Sequence, residues 1–207
     1  MDDDNPQPDT AASERQPAFL RRWMGGLTPD PGSSDPRKLG KWGGIVTGAY
    51  LVVAAAVGVY WSSTPEHFDV RENAARYAAA TAQDVVTGTT TVATLQETIR
   101  ILLEKPGGYL HNDLFPPGVW LDNMPNWEYG VLVQSRDLAR ALREVLSRSQ
   151  SQSKEDVDLT LAEPRINFQS KSWILPASES EYRDALRFLE AYRARLAVTG
   201  QNSAQFY

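Results

Sequence analysis

Residues Gly43 to Tyr60 carry no charge and stay apolar throughout, between Trp42 and Trp61, in a chain that is otherwise polar. Counted from Trp42 to Trp61, a helix rising about 1.5 Å per residue is roughly 30 Å long, which matches a bilayer core. Ile45, Val46, Leu51, Val52, Val53, Val57 and Val59 together favour insertion by about 2–4 kcal/mol, before the Gly and Thr positions take some back. Trp42, Tyr60 and Trp61 stand where amphipathic rings prefer to stand, at the two interfaces. A core helix of a soluble domain would keep a polar stripe, and this run has none. A cleavable signal peptide would have a shorter apolar run and would not follow roughly forty other residues. The pattern predicts a retained transmembrane helix over residues 42–61.

Beyond the span, Pro65 breaks the helix and Phe68-Asp69-Val70 opens a new segment. Residues 70 to about 84 are rich in alanine and good helix formers. Gly88 and the threonines from Thr87 to Thr91 mark a break. Val92, Leu95, Ile99, Leu102 and Leu103 then recur at helical spacing, predicting an amphipathic helix that stops before Pro106. A long non-periodic segment runs from Pro106 to Pro125. The next helix is expected to start near Asn126, with Glu128 in its first turn facing the helix dipole. Its apolar stripe is Val131, Leu138, Leu142, Val145 and Leu146, and it runs out in the polar, turn-prone run Ser147–Ser153. A short helix over 155–163 is halted by Pro164. Ile166–Gln169 alternates like an extended piece, and Trp173-Ile174-Leu175-Pro176 reads as a plug for the core. Ser178 with Glu181 reads as a capping box. The last helix carries Tyr182, Ala185, Leu186, Leu189 and Leu196 on one side and ends near Gly200.

Residues 1 to about 36 hold Asp2-Asp3-Asp4, five prolines before Asp35 and a Gly/Ser-rich stretch. Such a composition buries too little apolar surface to offset chain entropy, so this tail is expected to be disordered. The island Phe19–Met24 is either a basic, aromatic patch resting on anionic headgroups or a solvated piece of tail.

Charge sets the orientation. Arg37, Lys38 and Lys41 flank the span on its N-terminal side, with Arg21 and Arg22 further out. Arg71 and Arg76 on the other side are set among Glu66, Asp69 and Glu72. The bias favours a cytoplasmic N-terminus, which leaves residues 62–207 as a periplasmic domain of a bacterial inner-membrane protein. The chain has 207 residues, a formal charge of −5 and no cysteine. Disulfides, thiolate nucleophiles and Cys metal sites are thereby excluded. The acidic balance argues against nucleic acid as a partner. The lipid bilayer is the partner the pattern implies most directly. Small residues four apart, Gly44 with Gly48 and Ala54 with Gly58, would let two spans pack closely as a homodimer.

The arrangement from Tyr60 to Tyr182 resembles a bacterial family of uncharacterised membrane-anchored proteins, the DUF2333 family. The stretches that carry the resemblance are Tyr60-Trp61-Ser62 leading to Pro65–Val70, Leu103–Leu110, Asn112–Pro125, Ser147–Ser153 and Trp173–Tyr182. The arrangement as a whole covers about two thirds of the chain. The resemblance implies a single span and a helical outer domain, and it implies no known activity. It also implies a further helical segment after the position of Tyr207, so that this chain would be a shortened member.

Chemistry concentrates between Pro106 and Tyr129, where Tyr109, Phe115, Trp120, Trp127 and Tyr129 lie among rigid prolines and flexible glycines. His111, Asp113, Asp122 and Glu128 share the segment. Loops beyond about 12–15 residues in compact domains are usually functional or disordered, and this one is too apolar for disorder. It either wraps the helices and buries its aromatics, or forms a groove for a glycan, a peptide or an envelope protein, with Tyr109, Phe115, Trp120, Asp122 and Trp127 as its candidate residues. Asp113, Asp122 and Glu128 would also be the carboxylates of a glycan hydrolase, although three acids in such a stretch is ordinary density. His67 and His111 are far apart and have no metal-ligand spacing, so no metal or cofactor is expected. No nucleophile elbow, metalloprotease helix or phosphate-cradling loop is present. The arginine runs Arg136, Arg140, Arg143, Arg148 and Arg183, Arg187, Arg193, Arg195 are expected mostly on solvent faces.

The fold class expected is all-α, with a disordered tail (1–41), a transmembrane helix (42–61) and a small helical outer domain (62–207) carrying a long Pro/Gly/aromatic loop. The leading function is a membrane-tethered interaction or scaffold domain without enzyme activity. An accessory subunit of an envelope transport or secretion complex, and a periplasmic cell-wall hydrolase, are the alternatives.

Overall fold

A computed structural model describes residues 36–148, 154–200 and 203–207. The N-terminal tail expectations, including the Phe19–Met24 patch, and most of the Ser147–Ser153 run lie outside these residues. The described residues are helical with no strand: α1 Pro36–Trp61, α2 Val70–Ala80, α3 Thr89–Glu104, a 3₁₀ turn Gly118–Trp120, α4 Asn123–Ala141 continuing as a π turn Leu142–Leu146, α5 Val157–Ile166 and α6 Ser178–Leu196.

The chain divides into two compact units at Gly48/Ala49. In the first, the described part is helical, and nothing stands within 4 Å of where a Cβ on Gly40, Gly43, Gly44 or Gly48 would lie. Helix α1 starts six residues before the expected span, and its segment Leu39–Trp61 is long and apolar enough to cross a membrane. Its apolar side chains face outward: Ile45, Val46, Val52, Val53 and Val59 are all exposed.

The second unit is a helical domain. Asp69 caps α2 by accepting the Arg71 and Glu72 amides at 2.9 and 2.8 Å, which satisfies donors a helix start leaves open. The stripe expected on α3 is buried in full, as Val92, Leu95, Ile99, Leu102 and Leu103. Helix α6 buries Tyr182, Ala185 and Leu189. The core forms where α3 and α6 meet α4 and α5, while α2 packs on α3. Chain end and core are joined: the Tyr207 amide donates to Leu146 O at 2.8 Å and the Tyr192 hydroxyl to Gln205 O at 2.6 Å.

Several expectations need correction. Helix α4 begins at Asn123, with Asp122 in the cap position, so Glu128 lies in its second turn. Pro125 falls in the first turn, where its missing N–H has no helical acceptor to lose. The buried stripe of α4 is Met124, Glu128, Leu132, Ser135 and Ala139, continued by Leu142, while Val145 is exposed. Pro164 sits inside α5, which runs on to Ile166. Residues after Ile166 form a turn, not an extended piece. Ser178 is the first residue of α6, not its cap; its hydroxyl donates to Gln169 O at 2.6 Å and accepts the Ser172 amide at 3.2 Å. The largest departure is at Trp173-Ile174-Leu175, which does not plug the core: Leu175 is 92% exposed and Ile174 66%.

The arginine runs are also less solvated than expected. Arg193 is buried, donating from Nε to Gln96 Oε1 at 3.0 Å and from Nη1 to Tyr77 O at 2.9 Å, so it ties α6 to α3 and α2. Arg136 donates to Ile166 O and Phe168 O. Arg143 bridges Glu155 and Glu163, and Arg195 bridges Asp156 and Asp158.

Candidate functional site

The segment between α3 and α4 is organised around one buried ion pair. Lys105 follows the last turn of α3, and its Nζ reaches Glu128 of α4 and the carbonyl of Gly108; both charged side chains are almost fully enclosed. Glu128 also accepts the Leu110 amide at 2.9 Å and the His111 amide at 2.7 Å. Burial pushes the Glu128 carboxyl above its ordinary value, and Lys105 with the two amides works against that. Every polar contact it makes is a donor, so the group is held as a carboxylate. Gly107 and Gly108 adopt φ of +85° and +69°, which turns the chain so that Lys105 can fold back.

His111 stacks on Tyr129, with ring centroids 5.3 Å apart, and its Nδ1 lies 3.1 Å from Pro125 O. A carbonyl only accepts, so Nδ1 carries the proton and donates. Burial pushes the ring's pKa down, the Pro125 bond opposes this, and the charges of Lys171 and Arg136 add to the lowering. Asp113 turns its carboxylate against Gly118, and burial raises its pKa, as do Glu128 and Glu179.

The five candidate binding residues differ in burial. Tyr109 is core: it is 4% exposed, meets Tyr182 edge-on and donates its hydroxyl to Ser170 O at 3.0 Å. Trp127 is half-buried against the core. Phe115 and Trp120 are exposed, at 66% and 55%. Asp122 is exposed and accepts the Asn126 amide side chain at 2.8 Å. Of the three acids considered as a hydrolytic set, Glu128 pairs with Lys105, Asp113 packs against Gly118 and Asp122 accepts from the Asn126 side chain. Among the described residues no cluster of His, Asp and Glu could hold a metal.

Two cavities lie elsewhere, where the linker Thr64–Phe68 crosses α3. A polar groove of about 500 Å³ runs between Pro65–Asp69, α2 and α3. Its floor is Glu97, which binds Arg100 and receives the Tyr77 hydroxyl at 3.1 Å, with Arg76 at 3.2 Å. Burial raises the Glu97 carboxyl, but the hydrogen bonds from Arg100 and Tyr77 and the charges of Arg100 and Arg76 outweigh it and hold the group below the ordinary carboxylate range. Glu66, His67 and Glu72 line the same groove. Beside it lies an apolar hollow of about 230 Å³, formed by the linker with Thr98, Ile101, Trp127 and Val131. The apolar pattern of the chain marked neither, because the linker carries no periodicity. The one available signal was a run of acids and arginines, Glu72, Arg76, Glu97, Arg100 and Glu104, at helical spacing on α2 and α3.

Small residues of the span divide as well. Gly44 and Gly48 are open, whereas Ala54 and Gly58 are buried, Gly58 against Pro117 and Leu121.

The family described as an uncharacterized protein conserved in bacteria, DUF2333, matches residues 37–207. Neither curated proteins nor solved structures give a match.

Proposed function

Since the chain belongs to the DUF2333 family of bacterial proteins, we propose that it is a single-pass inner-membrane protein whose helical domain stands on the periplasmic side as an interaction or scaffold module. The observation that carries this reading is α1. Its segment Leu39–Trp61 is long and apolar enough to cross a membrane, and most of its valines and leucines are exposed. Apolar surface on that scale is unfavourable in water and is solvated by hydrocarbon. Arg37, Lys38 and Lys41 at its N-terminal end favour a cytoplasmic tail.

The polar groove beside the juxtamembrane linker is the surface best suited to an extended segment of an envelope protein. It is open, it mixes acids with two arginines, and Glu66, His67 and Glu72 face it.

Alkaline carbonate washing tests the anchor: the full chain is expected to stay with the membranes, and recovery in the wash removes the reading. A photocrosslinking residue at Glu72 tests the groove. Capture of a defined envelope protein there, and not from the exposed Arg183 position on α6, supports it; equal capture at both, or none at Glu72, contradicts it.

A further inference from the structure

Seven of the exposed apolar side chains of the domain fall in two loops. The turn after Asn112 exposes Leu114, Phe115, Val119 and Trp120. The loop before α6 exposes Trp173, Ile174 and Leu175. The two loops touch, Phe115 against Trp173 with ring centroids 6.0 Å apart. Isolated exposed apolar residues mean little, but a continuous patch held by two loops marks a surface that is covered in use.

The backbone beneath the patch is fixed. Asn112 Nδ2 donates to Ser172 O at 2.8 Å and to Glu179 Oε2 at 3.0 Å, bridging the loops. The Tyr109 hydroxyl holds Ser170, and Ser172 Oγ donates to Pro176 O at 2.7 Å. Asn112 Nδ2 and the Tyr109 hydroxyl tie the two loops together, while the apolar tips are exposed.

The position of the patch says what covers it. Pro117 and Leu121, which flank the 3₁₀ turn, would stand 3.5 and 3.7 Å from a Cβ on Gly58. Gly58 lies three residues before Trp61, so the turn meets α1 about 4–5 Å inside its end at about 1.5 Å rise per residue. Ala54, one helical turn further in, is also buried. Trp61 itself lies over Gly107 at the root of the same loop. The apolar turn is therefore level with the last turns of the apolar helix, where aromatic rings and aliphatic tips settle at a bilayer surface. Exposed Lys171 borders the patch, and Lys side chains at this depth extend to anionic headgroups.

We propose that the Leu114–Trp120 turn and the Trp173–Leu175 loop form one apolar apron that dips into the leaflet at the C-terminal end of α1, seating the helical domain on the bilayer. This rests on the reading that α1 spans the membrane. The phospholipid interface is the occupant, because the turn that carries half of the patch packs against the last turns of the apolar helix at Gly58. Seating would hold the polar groove at a fixed height beside the membrane and fix which way it opens.

The cysteine-free chain makes the test direct. Single variants Phe115→Cys and Leu175→Cys in the full chain, with Val53→Cys in the span and Arg183→Cys on exposed α6, are labelled with an environment-sensitive fluorophore. They are reconstituted in phosphatidylethanolamine/phosphatidylglycerol vesicles that carry nitroxide on the upper acyl chain. Burial at the headgroup–acyl boundary predicts that labels at 115 and 175 lose roughly half of their emission or more, while the label at 183 is unaffected. Labels at 115 and 175 that escape the lipid quencher and respond to aqueous iodide as 183 does, with 53 still quenched, overturn the apron, leave the span intact and assign the patch to a protein partner. A label at 53 open to iodide overturns the span, and the apron with it.

Discussion

Lys105 and Glu128, 23 positions apart in the chain, form an ion pair with both side chains almost fully enclosed. It fastens the end of α3 to the second turn of α4 across the aromatic loop, and Glu128 then orders Leu110 and His111 through their amides. A buried pair is weak proof of net stabilisation, but removing one partner leaves a charge stranded in low dielectric. Glu128→Ala strands Lys105 and frees two amides, and is expected to cost about 3–5 kcal/mol in denaturant unfolding of the micelle-bound chain. Lys105→Met should cost less, because the carboxylate keeps both amide donors. The double variant Lys105→Met, Glu128→Ala should cost less than the sum of the two singles.

Two glycines give opposite expectations for one substitution. A Cβ on Gly107 would stand 2.7 Å from the Trp61 ring, and the residue sits at φ +85°. Gly130 lies within α4 with nothing inside 4 Å of its missing Cβ. Gly130→Ala is expected to stabilise by about 0.5–1 kcal/mol, since alanine has the better helix propensity. Gly107→Ala meets both a steric clash and an unfavourable backbone region, so its midpoint should fall. Thermal unfolding of the two variants side by side checks the contrast.

His111 gives a pH dependence of definite sign. Its pKa is lowered in the folded chain, chiefly by burial, with Lys171 and Arg136 adding to the effect. The unfolded ring titrates near its ordinary value of about 6.5. Between that value and the lower folded one, the unfolded chain binds more protons, so this group's contribution falls as the pH drops through that window and is complete above it. His111→Phe keeps a ring against Tyr129 and removes the titration. Its stability should change less between pH 7 and pH 5 than that of the parent, measured by denaturant unfolding at each pH.

Periodicity made the helices legible. Val92, Leu95, Ile99, Leu102 and Leu103 recur at helical spacing and are buried, as are Tyr182, Ala185 and Leu189, while Leu186 and Leu196 are partly buried. The apolar run of α1 was plain because no charge interrupts it. What stayed hidden involved partners chosen in three dimensions. Glu128 occupies a stripe position between Met124 and Leu132, and a charge in a buried stripe is the one hint of its ion pair. Pro125 and Asn126 concealed the true start of α4, because proline and a good capping residue are both at home in a first turn. Trp173-Ile174-Leu175 misled for a deeper reason. Composition tells that a segment avoids water, but not whether its own chain or another phase covers it. Tyr109 and Phe115 show the same limit, since one is core and the other exposed within a single loop.

Sidedness tests the central claim most directly. Arg183→Cys places a single thiol on exposed α6, in a chain with no other cysteine. With the outer membrane made permeable and the inner membrane intact, a membrane-impermeant maleimide is expected to label this position fully, with no gain on lysis. Labelling that appears only after the inner membrane is broken would put the helical domain in the cytoplasm and contradict the account.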